Sequence, residues 1–131
     1  MRNTSKTGRL GENLACGYLV SKRYKILYRN YKEKWDEIDI VASSIDLRLI
    51  FVEVKALTLA VDSNHNNLGL VPEDHLTASK LKRLRRACQV FANKHPRLVS
   101  DEKGWQIDLL AIGIWNTHCL KGPLIRHYEN I

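Results

Sequence analysis

The sequence predicts an α/β fold in the order α-β-β-β-α-β-β, and three observations predict it. Two segments, one near the start of the chain and one after residue 77, repeat apolar residues at helical spacing. Two short runs, Glu37-Ile38-Asp39-Ile40-Val41 and Phe51-Val52-Glu53-Val54-Lys55, alternate in the manner of strands around a polar turn. A nearly unbroken apolar run, residues 106–114, reads as a buried central strand.

The first helix is expected over residues 7–21, with Leu10, Leu14, Ala15, Tyr18 and Leu19 on one stripe. At about 100° per residue, Glu12 falls close to Ala15 and Leu19 at the edge of that stripe, so it can point along the helix toward the sheet. Taken alone, it also reads as a first-turn carboxylate favourable to the helix dipole. Residues 24–31 follow as a strand with Tyr24, Ile26 and Tyr28 on one side.

In the hairpin, side chains change face at every residue. Glu37, Asp39 and Val41 then share one face, and Ile38, Ile40 and Ala42 the other. After the turn at residues 43–46, Glu53 and Lys55 share a face with Leu49 and Phe51, opposite Ile50, Val52 and Val54. Pairing of the two strands brings Asp39 beside Glu53 and Lys55.

Residues 56–76 are rich in Asp, Asn, His and Gly and are long for a loop within a compact domain. Two histidines in it, His65 and His75, have no ligand-like spacing. Thr77 is suited to cap a second helix whose stripe is Leu81, Leu84, Cys88 and Phe91, ending near Asn93 before His95-Pro96. Lys80 falls in its first turn, where a cation opposes the helix dipole; it reads either as a phosphate contact or as a solvated lysine. The central strand is interrupted by Asp108, and residues 124–128 form a short last strand. No repeat, low-complexity segment or linker divides the chain, so one domain spanning residues 1–131 is expected.

A chain of 131 residues buries a sizeable core without disulfide or metal staples. Cys16, Cys88 and Cys119 are too scattered for a disulfide framework or a zinc cluster. No run approaches the roughly 18 apolar residues of a membrane span, and no signal-like stretch follows Met1, so a cytoplasmic protein without a membrane partner is expected. The formal charge of +7 favours an anionic partner, of which nucleic acid is the commonest. Lys80, Lys82, Arg83, Arg85 and Arg86 lie within one segment, and Arg9 belongs to a basic first quarter. A solvated basic helix face would look the same.

Acids on an otherwise apolar strand face need a counter-charge, because a carboxylate taken out of water loses several kcal/mol of hydration. Lys55 offsets part of the repulsion between Asp39 and Glu53. A divalent cation offsets more, and Mg²⁺ takes oxygen ligands from one or two carboxylates, waters and phosphates. Such an ion lowers the pKa of water and polarises a phosphoryl group, while a lysine ammonium orients the nucleophile or stabilises developing charge. The plainer account is an edge hairpin with a solvated polar face. Leu49, Phe51 and Val41 on those same faces speak against it.

The order of parts, with Gly8-Arg9-Leu10-Gly11-Glu12, Asn30, Glu37-Ile38-Asp39, Phe51-Val52-Glu53-Val54-Lys55, Thr77 with Lys80, Gln106-Ile107-Asp108 and Arg126-His127-Tyr128-Glu129-Asn130, resembles the PD-(D/E)XK nuclease superfamily. Within it the chain is similar to the small YraN-like predicted endonucleases, themselves similar to archaeal Holliday-junction resolvases. The resemblance implies a restriction-endonuclease-like mixed central sheet flanked by helices. It implies that Asp39, Glu53 and the carbonyl of Val54 bind Mg²⁺ or Mn²⁺, with Glu12 completing the acidic cluster. By the same resemblance Lys55 acts on the attacking water or the phosphate.

The expectation is therefore a metal-dependent endonuclease that hydrolyses phosphodiester bonds in DNA, branched or structured DNA among its substrates. Arg9, Lys80, Lys82, Arg83 and Arg86 would contact the nucleic acid backbone. Symmetric junctions suggest a homodimer by analogy with the fold. The alternative is a non-catalytic nucleic-acid-binding or assembly module on the same fold.

Overall fold

The computed structural model describes residues 6–34, 36–59, 76–115 and 122–131. Their order is helix α1 (Lys6–Ser21), strands β1 (Lys25–Lys32), β2 (Glu37–Ser43) and β3 (Leu49–Leu59), helix α2 (Ala78–Lys94), a 3-10 turn (Pro96–Leu98), and strands β4 (Trp105–Trp115) and β5 (Leu124–Tyr128). The strands form one mixed sheet in the order β1-β2-β3-β4-β5. β3 and β4 run parallel through the α2 crossover, and every other neighbouring pair is antiparallel. This is the mixed α/β architecture that the sequence predicts, and it is consistent with a nuclease-like fold. No helix among the described residues is long and apolar enough to cross a membrane.

Each helix covers one face of the sheet. Ala15 and Leu19 of α1 pack on Ile40, Ile50, Val52, Val54, Leu110 and Ile112. Leu84, Ala87, Cys88 and Phe91 of α2 pack on Val41, Leu49, Phe51 and Ile107. The central strands are therefore apolar on both faces, as a parallel pair under two helices must be. Thr77 caps α2, its Oγ1 accepting the backbone N–H of Lys80 at 3.1 Å.

Four expectations are corrected. Leu10 is 45% exposed, and Gly11 occupies the inward position instead. A Cβ at residue 11 would lie 2.6 Å from the Cβ of Ala56, so only glycine lets α1 approach β3 this closely. β3 continues to Leu59, so residues 56–59 are strand rather than loop; residues 60–75, with His65 and His75, lie outside the described residues.

The other two corrections concern facing. In β1 the pairing steps from Ile26↔Ala42 to Tyr28↔Val41, leaving Leu27 as an extra residue in a bulge. Tyr24 and Ile26 consequently pack toward α1, while Tyr28 makes an edge contact with the Phe91 ring of α2. In β2, Ile38 packs on the α2 side although Ile40 and Ala42 pack on the α1 side. The cause of that inversion is the geometry of Asp39.

Candidate active site

The β2–β3 ladder runs from Ser43↔Leu49 to Ile40↔Val52. One step further, a side chain replaces the backbone: Oδ2 of Asp39 accepts the N–H of Val54 at 2.8 Å. On the other flank, the pairs Arg29↔Ile40 and Tyr31↔Ile38 bracket Asn30 and Asp39. Asn30 has φ of +52°, a left-handed conformation that asparagine tolerates better than most side chains. Asp39 thus occupies an irregularity in the sheet, wholly buried, where β2 switches the faces of its even-numbered residues.

Glu53 is 1% exposed, and two ammonium groups meet its carboxylate. Nζ of Lys80 lies 3.4 Å from Oε1, and Nζ of Lys55 lies 3.7 Å from the same oxygen. Lys55 arrives by strand periodicity, two residues on from Glu53. Lys80 arrives by helix periodicity, one turn before Leu84 on the inward stripe of α2. Both lysines remain partly open to solvent. The thiol of Cys88 on α2 is pushed up strongly, by burial first and then by the negative fields of Glu53 and Asp36.

Glu12 is buried in the second turn of α1, not in the first turn where it would favour the helix dipole. Its Oε1 lies 3.9 Å from Nη2 of Arg29, and the same guanidinium nitrogen donates to Oδ1 of Asn13 at 2.8 Å. Because Arg29 pairs with Ile40, next to Asp39, and Gly11 seats on Ala56, next to Lys55, Glu12 enters at the same end of the β2–β3 pair. Burial raises the nearby Cys16 thiol; Arg29 opposes that shift and Glu12 adds to it.

Asp39, Glu53 and Lys55 therefore gather on adjoining backbone, Lys80 joins them from α2, and Glu12 is held apart from them on α1, against Arg29. The carboxylates of Asp39 and Glu53 with the carbonyl of Val54 offer hard oxygen donors, a set that fits Mg²⁺ or Mn²⁺. Among the described residues, the three acidic or imidazole side chains whose ligand atoms all lie within 4.8 Å are a different set, Asp108, His127 and Glu129. Arg9, Lys82, Arg83 and Arg86 are exposed on the two helices, unlike Lys80.

Sequence reasoning missed Arg29 as the partner of Glu12 and Asn13, since a bulge and a left-handed residue intervene in β1. It also missed the cluster around Asp108, although an acid interrupting an apolar strand was the available signal.

The family model described as "Uncharacterised protein family UPF0102" matches residues 11–112. A UPF0102 protein of Chlorobium phaeobacteroides is 36% identical over 106 residues, covering 80% of this chain and 75% of that protein. One from Chlorobium chlorochromatii is 38% identical over 116 residues, covering 88% and 81%. Another, from Fervidobacterium nodosum, is 30% identical over 126 residues, covering 96% and 81%.

Proposed function

We propose that this chain, which belongs to the UPF0102 family, is a metal-dependent endonuclease that hydrolyses phosphodiester bonds in DNA. Branched or otherwise structured DNA is its expected substrate class. The observation that carries the reading is the buried Glu53 carboxylate held between Lys55 and Lys80, beside an Asp39 carboxylate fixed on the backbone of Val54. A purely binding surface has no use for buried acids that repel phosphate.

Asp39, Glu53 and the Val54 carbonyl would hold Mg²⁺ or Mn²⁺, with Glu12 acting directly or through water. Bound there, the ion supplies Lewis-acid polarisation of the phosphoryl group and acidification of water. The protein's own part is orientation and charge. Val54 N–H fixes the Asp39 carboxylate so that its ligand direction is set before substrate arrives. Lys55 orients the attacking water or holds the negative charge that grows on the phosphoryl oxygens as one P–O ester bond breaks. Lys80 supplies a second cation on the same carboxylate and would release it to a phosphate. Exposed Arg9, Lys82, Arg83 and Arg86 add sequence-independent affinity for the DNA backbone.

The test is a titration of Mg²⁺ and Mn²⁺ with linear, flapped and four-way DNA, using the native chain, Asp39→Ala and Glu53→Ala. Metal-dependent cleavage by the native chain that both variants lose supports the enzyme. Salt-sensitive binding of all three DNAs with no cleavage at any metal concentration overturns it in favour of a binding module.

A further inference from the structure

The α1 face of the sheet carries a second convergence of ligand-type groups, apart from Glu53, whose side chain meets α2. Asp108 on β4 is fully buried, and its Oδ2 lies 2.7 Å from Nε2 of His127 on β5. It shares a strand face with Leu110 and Ile112, whose side chains pack against α1. Glu129, immediately after β5, completes the set: one ligand atom from each of the three lies within 4.8 Å of the other two.

Two of the three, His127 and Asp108, already have outer partners. His127 Nδ1 meets the hydroxyl of Tyr18 on α1 at 3.2 Å. Oδ1 of Asp108 accepts from Nε2 of Gln106 at 2.8 Å and from the backbone N–H of Asn130 at 3.0 Å. This is the arrangement that metal-ligating histidines and carboxylates need, with the far nitrogen or oxygen fixed by a hydrogen bond.

We infer that Asp108, His127 and Glu129 bind a divalent transition-metal ion of the zinc class, which fastens the segment after β5 to the interior of the sheet. The spacing suits it. With metal–ligand bonds of about 2.1 Å, neighbouring ligand atoms stand about 3.0 Å apart in six-coordination and about 3.4 Å in tetrahedral coordination. The Asp108–His127 contact of 2.7 Å is a direct hydrogen bond without the ion, and the two side chains rotate apart to admit it. One imidazole with two carboxylates favours zinc, manganese or iron over Mg²⁺, which takes oxygen ligands. Binding at Nε2 leaves the proton on Nδ1, where it is donated to the oxygen of Tyr18. The ion would reinforce contacts already made by the same segment, including the Ile131 N–H to the Ile107 carbonyl at 2.9 Å.

This site is independent of the nuclease reading, and its test is built to keep the two apart. Zn²⁺ alone is titrated calorimetrically into the full chain carrying Asp39→Asn and Glu53→Gln, with thermal melting as a second readout. A single equivalent of zinc is expected to bind and to raise the melting temperature. On that background Glu129→Gln, a change at an exposed position, is expected to weaken zinc about tenfold or more, and His127→Gln to abolish it. Absence of zinc uptake overturns the inference. So does uptake that is equally strong in the Glu129→Gln chain, which keeps its fold even if the His127 variant does not.

Discussion

Asp39 accepts the backbone N–H of Val54 at the step where the β2–β3 ladder gives way, so a side chain stands in for a strand partner. Asparagine can accept the same hydrogen bond through its amide oxygen, but alanine cannot. Asp39→Asn is expected to melt close to the native chain while losing metal-dependent cleavage. Asp39→Ala should lose cleavage and also about 1–3 kcal/mol of stability, from the buried N–H left without its acceptor. Parallel denaturant titrations and cleavage assays check both; equal stability of the two variants would remove the structural role claimed for the carboxylate.

Asn30 holds a left-handed backbone beside Asp39. A β-branched residue there is strained by about 1–3 kcal/mol, whereas glycine adopts the conformation freely. Asn30→Val is therefore expected to lower stability by that amount, and Asn30→Gly to change it far less. Urea unfolding midpoints decide the matter. A valine variant as stable as the glycine one contradicts the assigned backbone geometry.

Two glycines of α1 make opposite predictions. A methyl at Gly11 collides with Ala56, and neither atom belongs to a flexible side chain, so Gly11→Ala should cost about 1–3 kcal/mol and disturb Glu12. Gly17 has nothing within 4 Å of a built Cβ, so Gly17→Ala should stabilise the helix by about 0.5–1 kcal/mol. Thermal melts of the pair give the sign directly.

Lys80 and Lys82 are two positions apart but face different surroundings, the first against Glu53 and the second in solvent. Lys80→Gln is expected to reduce the cleavage rate at saturating DNA with a modest loss of affinity. Lys82→Gln should instead weaken binding and reduce the log–log salt slope by about 0.9 for a lost duplex phosphate contact, leaving the saturated rate unchanged. Single-turnover kinetics beside salt-dependent binding separate the two effects.

Burial, reinforced by Glu53 and Asp36, raises the Cys88 thiol above its ordinary pKa of 9.0. At pH 8 the folded chain should resist alkylation at Cys88, mapped by mass spectrometry, until denaturant is added. The same shift sets a sign for stability. The folded chain keeps the thiol proton after the unfolded chain has lost it, so this contribution is complete below pH 9.0 and declines as pH rises above it. Cys88→Ala should flatten that alkaline decline.

Much of the architecture could be read from residue patterns, because hydrophobic periodicity is a local property. The bounds of β5, the Thr77 cap and the two faces of β3 follow from neighbours along the chain. The Glu53–Lys55 pairing was legible for the same reason. What escaped depended on contacts between distant segments: the bulge at Leu27 turns Tyr28 toward α2, and the defect at Asn30 and Asp39 turns Ile38 the same way. Leu10 lost the inward position to Gly11 only because Ala56 comes so close. Lys80 stood out as a cation at an unfavourable helix position, yet nothing local connects it to Glu53. His127 and Asp108, likewise, are joined only when β5 lies down beside β4.

The parallel β3–β4 seam has a kinetic consequence. The hairpin of β2 and β3 can zip from its own short turn, but β4 joins only after the intervening crossover has looped back, and that closure is entropically costly. Refolding should therefore be paced by docking of β4, with a transient species whose β3 edge is bare and prone to self-association. Dilution should speed the recovery of native chain from denaturant, and the yield should fall as concentration rises.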